Sequence, residues 1–370
     1  MAAASETIQS IARLTPLAEV LALIDREVKP VAPRSLAPAQ ACQATLAADV
    51  VAATQPTAPR ALIDGWALSA ESTRDAGGYA PAHLPQMPVL VEAGRPMPAG
   101  ADSVAALDTV RVANGRAEAL APVNPGDGVL PVGADCNAAV PLRRAGERLR
   151  AVDVAALAAA GVAQVSVRAP RLRVVAVRAD PILNAAARLI ASDAARRGGA
   201  PDEASGALSE ALADENTDAV IAIGGTGSGR NDSSVLTLAR EGRLLVHGMA
   251  LTPGETAAFG FAATRPVLLL PGRLDAALGV WLTAGRRMLA RLAAGDDNDP
   301  GTTATLARKV TSTVGLAEIV PVRRSGDNVE PLATKYLPLS ALARSDGWIL
   351  VPADSEGYSA GARVQVRPWP

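Results

Sequence analysis

From residue 170 onward, apolar runs of strand length alternate with segments in which apolar residues recur at helical spacing. The runs that predict strands lie at 172–178, 218–223, 243–251 and 266–270, and the helical segments lie at 182–197, 203–213, 232–241 and 274–294. Such alternation predicts an α/β fold with a doubly wound parallel sheet. In sheets of this kind, ligands bind beyond the carboxyl ends of the strands.

The flanking parts follow other patterns. Residues 17–28 predict an amphipathic helix after Thr15-Pro16, the Pro- and Gly-rich stretch 50–140 predicts short strands and turns, and residues 153–163 predict an Ala-rich helix. After a polar linker at 294–301, short β-like segments lie at 306–314, 318–323, 347–351 and 364–366. We therefore predict a multidomain chain with three parts: a mixed α+β and β region at 1–169, the α/β domain at 170–298 and a small β domain at 299–370.

The strand at 218–223 runs into a loop with glycines at 224, 225, 227 and 229. Without side chains there, the loop N–H groups are free to face an anion, and a helix starting near Asp232 would add its positive dipole end. The spacing fits neither a Walker loop nor the dinucleotide fingerprint. The loop therefore predicts a phosphate site, and a tight strand-to-helix turn without a ligand is the alternative.

Composition and charge narrow the classes of function. A formal net charge of −1 and 2% aromatic residues give no basis for binding nucleic acid. No apolar run reaches about 18 residues and the first residues lack a leader pattern, so we expect no membrane span and a cytoplasmic protein. Cys42 and Cys136 form no CxxC pattern, and we expect both to be small buried residues.

Several motifs occur in an order that resembles the molybdopterin molybdenumtransferase family, of the MoeA and gephyrin E-domain type. They are Asp64-Gly65-Trp66-Ala67, Glu92 to Gly100, the strand after Pro170, Gly224-Gly225, Pro253-Gly254 and Pro271-Gly272. The resemblance covers essentially the whole chain and implies a molybdopterin-binding fold for the central domain. It also implies insertion of molybdate into adenylated molybdopterin with release of AMP, assisted by Mg²⁺.

The resemblance further implies a homodimer, in which the region that carries Asp64 completes the partner's site. A molybdopterin adenylyltransferase and acceptor molybdoenzymes are possible further partners. Asp64 and Asp232 are the candidate catalytic residues, and Asp232 and Asp180 are the candidate metal ligands. The candidate binding residues are Gly224, Gly225, Thr226, Gly227, Ser228, Gly229, Pro253, Gly254, Pro271, Gly272 and Arg273.

Purely structural roles compete with these assignments. Asp64 is also typical of a turn, Asp232 of a helix N-cap, and Arg273 of a solvated helix start. Arg273 could otherwise make a bidentate contact to an anion.

The chain departs from the family pattern where an anion would bind. Thr252 and Glu255 stand where the family usually has lysines, Ala93 replaces a threonine, and Arg273 follows Pro271-Gly272 in place of asparagine. Asp180 alone remains of a Thr-Gly-Asp-Glu-Leu motif. Three alternatives follow: a non-catalytic molybdopterin-binding and delivery protein, a scaffold, or adenylyltransferase-like activity. The last is suggested by Gly-Gly-Thr-Gly at 224–227 followed by Arg230 and Asp232.

Overall fold

A computed structural model describes residues 9–297 and 301–370. The chain divides into two compact units. The first unit comprises the residues up to Ala48, Gly146–Ala151 and Gln164–Pro370, and the second comprises Asp49–Ala145 and Val152–Ala163. Within the described ranges, no helix combines the length and apolar character needed to cross a bilayer.

The α-helices of the described ranges are α1 Leu17–Glu27, α2 Ala151–Ala159, α3 Pro181–Arg196, α4 Leu208–Ala213, α5 Ser234–Glu241, α6 Leu274–Val280, α7 Arg286–Ala293 and α8 Leu339–Arg344. The strands of the first half are β1 Thr15–Pro16, β2 Arg34–Leu36, β3 Thr45–Leu46, β4 Arg60–Ala61, β5 Gly65–Leu68, β6 Ala82–His83, β7 Val89–Val91, β8 Ser103–Ala105, β9 Val110–Ala113, β10 Arg116–Ala119, β11 Val129–Leu130 and β12 Val165–Arg168.

The remaining strands are β13 Arg171–Ala176, β14 Ala200–Ser205, β15 Ala219–Ile223, β16 Arg243–His247, β17 Met249–Thr252, β18 Ala258–Ala262, β19 Arg265–Leu270, β20 Thr302–Leu306, β21 Val310–Thr311, β22 Ala317–Ser325, β23 Asn328–Pro331, β24 Gly347–Val351, β25 Gly357–Tyr358 and β26 Arg363–Val366.

The first unit contains a six-stranded sheet in the order β14-β13-β15-β19-β18-β16. Strands β14, β13, β15 and β19 run parallel, and β18 and β16 continue the sheet antiparallel. Alternate residues of β15 face opposite sides: Ile221 packs in a core with α1, α3, α6 and α7, whereas Val220 packs in a core with α4 and α5. Both faces of the sheet are covered by helices, which confirms the doubly wound prediction.

Three predicted elements differ from the structure. Residues 203–205 belong to strand β14, and only Leu208–Ala213 of the predicted helix 203–213 is helical. β14 is a mostly exposed edge strand, so its sequence lacks the apolar alternation that marks a strand. The predicted strand 243–251 is two strands separated by Gly248, whose φ is +97°. The predicted helix 274–294 is interrupted by a π-helical segment, Trp281–Gly285.

The break at Gly248 lies where the chain passes from one sheet to another. After Gly248, β17 leaves the six-stranded sheet and enters a seven-stranded one with the order β1-β17-β22-β23-β20-β26, in which β24 also pairs with β22. This mixed sheet buries its own apolar core, which includes Leu306, Val320 and Ile349. The C-terminal β region therefore incorporates strands from much earlier in the chain, and the predicted boundary at 298/299 stays a prediction.

A buried ionic cluster supports the π-helical segment. Asp193, 3% exposed, accepts hydrogen bonds from Nε1 of Trp281 and Nε of Arg286, both at 2.8 Å, and from Nε of Arg197 at 3.2 Å. Burial by itself raises the pKa of this carboxyl, but the hydrogen bond and charge of Arg286 and the hydrogen bond from Trp281 outweigh burial and hold the pKa below its ordinary value.

The second unit is built from small antiparallel sheets, as the Pro- and Gly-rich stretch predicts. They have the orders β7-β5-β8, β6-β10-β9 and β11-β4. Cys136 is buried here as expected, but Cys42, which belongs to the first unit, is exposed. The prediction for Cys42 was therefore wrong: it lies in a turn whose neighbour Ala41 takes the buried position.

Candidate functional site

Two Gly-rich turns meet at one edge of the parallel sheet. Strands β15 and β19 are parallel neighbours, so the turns that follow Ile223 and Leu270 emerge side by side. The N–H of Gly224 donates to the carbonyl of Leu270 at 2.9 Å. A Cβ on Gly272 would lie 3.7 Å from Cα of Gly224. The glycine backbones of the two turns therefore approach closely, and the side chain of Leu183 lies beside them, 3.5 Å from the same Cβ position.

The loop 224–229 is shaped by the start of helix α5. Gly224 and Gly225 have φ values of +103° and +71°, in the region that favours glycine. The hydroxyl of Ser234 donates to the carbonyl of Gly224 at 2.9 Å, and its N–H donates to that of Gly225 at 3.0 Å. A Cβ on Gly225 would lie 2.4 Å from the Ser234 oxygen, so a larger residue there would displace the helix start.

The loop holds a row of unused donors. Within the described ranges, we find no acceptor for the backbone N–H groups of residues 225–228. The loop passes from buried at Thr226 to exposed at Ser228, so the row leads out to solvent. Unpaired N–H groups ahead of a helix form a suitable site for an anion, because both the donors and the helix dipole favour negative charge.

Asp232 makes two hydrogen bonds with Gly229 at the end of the loop. Its Oδ2 accepts from the N–H of Gly229 at 3.0 Å, and its own N–H donates to the carbonyl of Gly229 at 2.9 Å. The N-cap of α5 is Ser233, so Asp232 is not the capping residue that its sequence position also suggested. Its carboxylate lies at the exposed end of the loop, beside the donor row.

A third turn, 252–256, joins this site. The hydroxyls of Thr226 and Thr256 are 2.9 Å apart and hydrogen-bonded. Pro253 and Gly254 are buried against helix α6: a Cβ on Gly254 would lie 2.8 Å from Val280. The binding residues predicted in the three turns are therefore brought together within the first unit.

Thr252 and Glu255, which stand where the family usually has lysines, are hydrogen-bonded to each other. The Thr252 hydroxyl donates to Oε1 of Glu255 at 2.6 Å, and the N–H of Gly254 donates to Oε2 at 3.0 Å. Thr252 is 6% exposed, whereas Glu255 is half-buried. A fixed carboxylate thus stands on the turn where the resemblance predicts positive charge.

Arg273 is an exposed residue at the start of helix α6, and its guanidinium is paired with neighbouring side chains. Its Nε donates to Oδ1 of Asp275 at 3.0 Å, and its guanidinium lies 4.8 Å from the ring centre of Tyr336. Asp275 is 3% exposed and also accepts from the N–H of Leu337 at 3.1 Å. The hydrogen bond to Asp275 and the charge of Glu255 raise the pKa of Arg273 above its ordinary value, against the effect of burial. The charge of Arg273, the cation among the predicted binding residues, is therefore partly neutralised by Asp275.

The other two predicted carboxylates make local contacts. Asp180 caps helix α3, accepting from the N–H groups of Ile182 and Leu183 at 2.8 and 3.1 Å. Asp64 is an exposed residue of the second unit, where its Oδ1 accepts from the N–H of Ala93 at 2.7 Å. In the described parts of the chain, no group of three or more His, Cys, Asp or Glu side chains is placed to hold a metal ion.

Sequence reasoning missed three residues that contact the site, one of which is His247, whose Nε2 lies 3.4 Å from the carbonyl oxygen of Thr226. Gln9 reaches the loop from 216 residues away, and Thr256 joins two turns through its hydroxyl. Gln9 and His247 belong to no motif, whereas Thr256 ends the 252–256 segment, and all three contacts arise from tertiary structure.

Comparison with known proteins matches the chain in three successive regions. Residues 15–161 match a family described as the MoeA N-terminal region (domain I and II), residues 178–291 a probable molybdopterin binding domain, and residues 303–369 the MoeA C-terminal region (domain IV). A putative molybdopterin biosynthesis protein of Methanocaldococcus jannaschii is 32% identical over 151 residues. That alignment covers 40% of this chain and 36% of the relative, about a third of its length.

Solved structures share the fold over nearly the whole chain. A molybdopterin biosynthesis moeA protein from Pyrococcus horikoshii OT3 superposes with a TM-score of 0.77 at 22% identity, covering 96% of this chain and 100% of that one. A molybdenum cofactor biosynthesis protein from Pyrococcus furiosus gives 0.61 at 19% identity, covering 96% and 100%. With its N-terminal, molybdopterin-binding and C-terminal regions matched in order, the chain belongs to the MoeA family of molybdopterin biosynthesis proteins.

Proposed function

We propose that this protein binds adenylated molybdopterin and inserts molybdate into its dithiolene, releasing AMP. The observation that supports the proposal is the row of unpaired N–H groups at residues 225–228, placed where three turns meet at the sheet edge. Molybdopterin carries a phosphate and its adenylated form a pyrophosphate, and both are anions that such a row would hold.

The surrounding residues would orient the substrate. The loop N–H groups would bind the phosphate oxygens, and the fixed guanidinium of Arg273 would face a second anionic group with the donors that Asp275 leaves unused. Asp232, one of whose carboxylate oxygens is engaged by Gly229, would offer the other to Mg²⁺. This limited protein contribution fits the ion, since Mg²⁺ is commonly bound by one or two carboxylates together with substrate phosphates. When bound, it would neutralise the charge of the phosphates.

The active assembly in this proposal is a homodimer. In that arrangement Asp64, which lies in the second unit, would complete the site of the partner subunit. This part of the proposal derives from the family resemblance and from the position of Asp64 on an exposed turn.

A specific observation favours a second candidate, a non-catalytic molybdopterin-binding and delivery protein. The Glu255 carboxylate, fixed by Thr252 and Gly254, places negative charge on the turn beside the loop, and Arg273 is paired with Asp275. Both features weaken the attraction for molybdate, which is itself an anion, while leaving the loop N–H groups available for the pterin phosphate.

One assay separates the two candidates. Purified protein is mixed with adenylated molybdopterin, and AMP release is followed with and without molybdate. Molybdate-dependent release supports the enzyme, whereas tight pterin binding without release supports the delivery protein. Failure to bind the pterin at all would contradict both. Rescue of nitrate reductase activity in a strain lacking its own molybdenumtransferase gives an independent readout of the enzyme.

A further inference from the structure

Gln9 is a buried polar residue attached to the loop from the far end of the sequence. It is 4% exposed, and its Nε2 lies 2.8 Å from the carbonyl oxygen of Gly225 and 2.5 Å from that of Gly227. Both hydrogens of one side-chain amide are therefore donated to two carbonyls of the same loop. Gln9 lies six residues before β1, which pairs with β17.

The two captured carbonyls determine where the loop N–H groups point. In a trans peptide, the C=O and N–H bonds point in nearly opposite directions. The carbonyl of Gly225 shares its peptide with the N–H of Thr226, and the carbonyl of Gly227 shares its peptide with the N–H of Ser228. Gln9 holds the carbonyl of Gly227, and together with the N–H of Ser234 it holds the carbonyl of Gly225. The N–H groups of Thr226 and Ser228 therefore point away from Gln9, to the side on which they meet no acceptor within the described ranges.

We propose that Gln9 is a positioning residue for anion binding, which fixes two peptide planes of the loop so that the N–H groups of Thr226 and Ser228 face the phosphate. The role does not require Gln9 to touch the ligand. It rests on the proposed anion site but not on the insertion of molybdate.

The unpaired amide oxygen of Gln9 supports a positioning role for this residue over a packing role. Oε1 of Gln9 is buried and finds no hydrogen-bond donor among the described residues. A methionine or leucine would fill the same space without leaving a buried acceptor unpaired, which is costly. Glutamine at this position therefore contributes through the two bonds of its Nε2.

The test uses inorganic pyrophosphate as the probe and the full chain with isotope-labelled amides. In the wild type, titration should shift the amide resonances of Thr226 and Ser228. Gln9→Met keeps the size of the side chain but removes its donors, and should raise the Kd for pyrophosphate about tenfold and broaden or double these two resonances. Gln9→Glu should raise the Kd further, because its carboxylate would repel both carbonyls. Gln86→Met, at an exposed position of the second unit, is the matched control and should leave the Kd unchanged.

The outcomes separate this inference from the proposed function. Gln9-dependent pyrophosphate binding without molybdate-dependent AMP release would support the inference and contradict the insertion activity. If Gln9→Met only lowers the unfolding temperature and leaves the Kd and both resonances unchanged, the inference is wrong. It is equally wrong if the wild type shows no pyrophosphate-dependent shift at Thr226 and Ser228.

Discussion

Replacing Gly227 by alanine tests the loop through a single added carbon. An ideal Cβ at Gly227 would lie 2.7 Å from Oδ2 of Asp232, closer than real Cβ atoms approach an oxygen. The φ of Gly227 is not in the left-handed region, so alanine can adopt the backbone and the strain falls on the contact. The Asp232 side chain must therefore move, and its hydrogen bond to the N–H of Gly229, 3.0 Å in length, is lost.

The size of the effect follows from that bond. A hydrogen bond to a charged group contributes about 1.5–3 kcal/mol, and the lower end applies here because Asp232 is only half-buried. We expect the Kd for molybdopterin, measured by calorimetry, to rise about tenfold, since 1.4 kcal/mol corresponds to a factor of ten. The unfolding temperature should fall only slightly, because this bond is also lost from the unliganded protein but is a small part of the stability of a 370-residue chain. Gly78→Ala is the control, because a Cβ there would meet no atom within 4 Å.

A double-mutant cycle shows whether Gly227→Ala raises the Kd by displacing Asp232 or by obstructing the ligand directly. If the added methyl acts by displacing Asp232, then Gly227→Ala should change the Kd by less than about twofold in an Asp232→Ala background. A tenfold rise in that background would mean that the methyl group obstructs the ligand directly, and the displacement argument would be refuted. An unchanged Kd in the single variant would exclude the loop as the binding site.

Three further predictions address charge, stability and assembly. Glu255→Gln should lower the KM for molybdate in the AMP-release assay about fivefold, because removing a half-buried charge near an anion contributes about 1 kcal/mol after screening; an unchanged KM would show that this charge does not act on molybdate. Asp193→Asn should lower the free energy of unfolding by about 3 kcal/mol, because Arg286 loses its buried carboxylate. As the folded-state pKa of Asp193 is depressed, its contribution is present above about pH 3.8 and is lost as the pH falls through the folded value; thermal unfolding against pH should show this component in the wild type and not in the variant. Light scattering should give a mass of twice 37.6 kDa, as expected for a homodimer. If the protein is a monomer and still binds pterin, Asp64 does not contribute to the site, because its proposed role requires a partner subunit.

The parallel core of the fold could be predicted because its strands are continuous apolar runs. Strands β15 and β19 are almost fully buried and end at glycine-containing turns, so both their extent and their common edge follow from the sequence. Edge strand β14 could not be recognised, since an exposed strand needs no apolar pattern. Strand β18 was missed because Ala258–Ala262 contains only two large apolar residues, although all five positions are buried.

The candidate site could be predicted only where its parts lie close together in the sequence. The glycine spacing of the loop indicates a backbone anion site without reference to the rest of the fold. Whether Arg273 is available depends on the position of Tyr336, 63 residues later, and the orientation of the loop peptides depends on Gln9. Glutamine and tyrosine at isolated positions carry no periodic signal, so contacts of this kind appear only with the tertiary structure.

Strand β17 also limits how this protein can be cut or recombined. It pairs with β22 through Leu251 and Ala317, and its last residue leads directly into the Pro253-Gly254 turn. A fragment that starts after residue 298 would lack this strand and expose an unpaired edge of β22, which is a template for aggregation. A chimaera that exchanges the C-terminal region between relatives must therefore carry residues 249–252 from the same parent. Otherwise β22 would pair with a strand from a different parent, and any mismatch in that pairing would be transmitted to the Pro253-Gly254 turn of the candidate site through a single peptide bond.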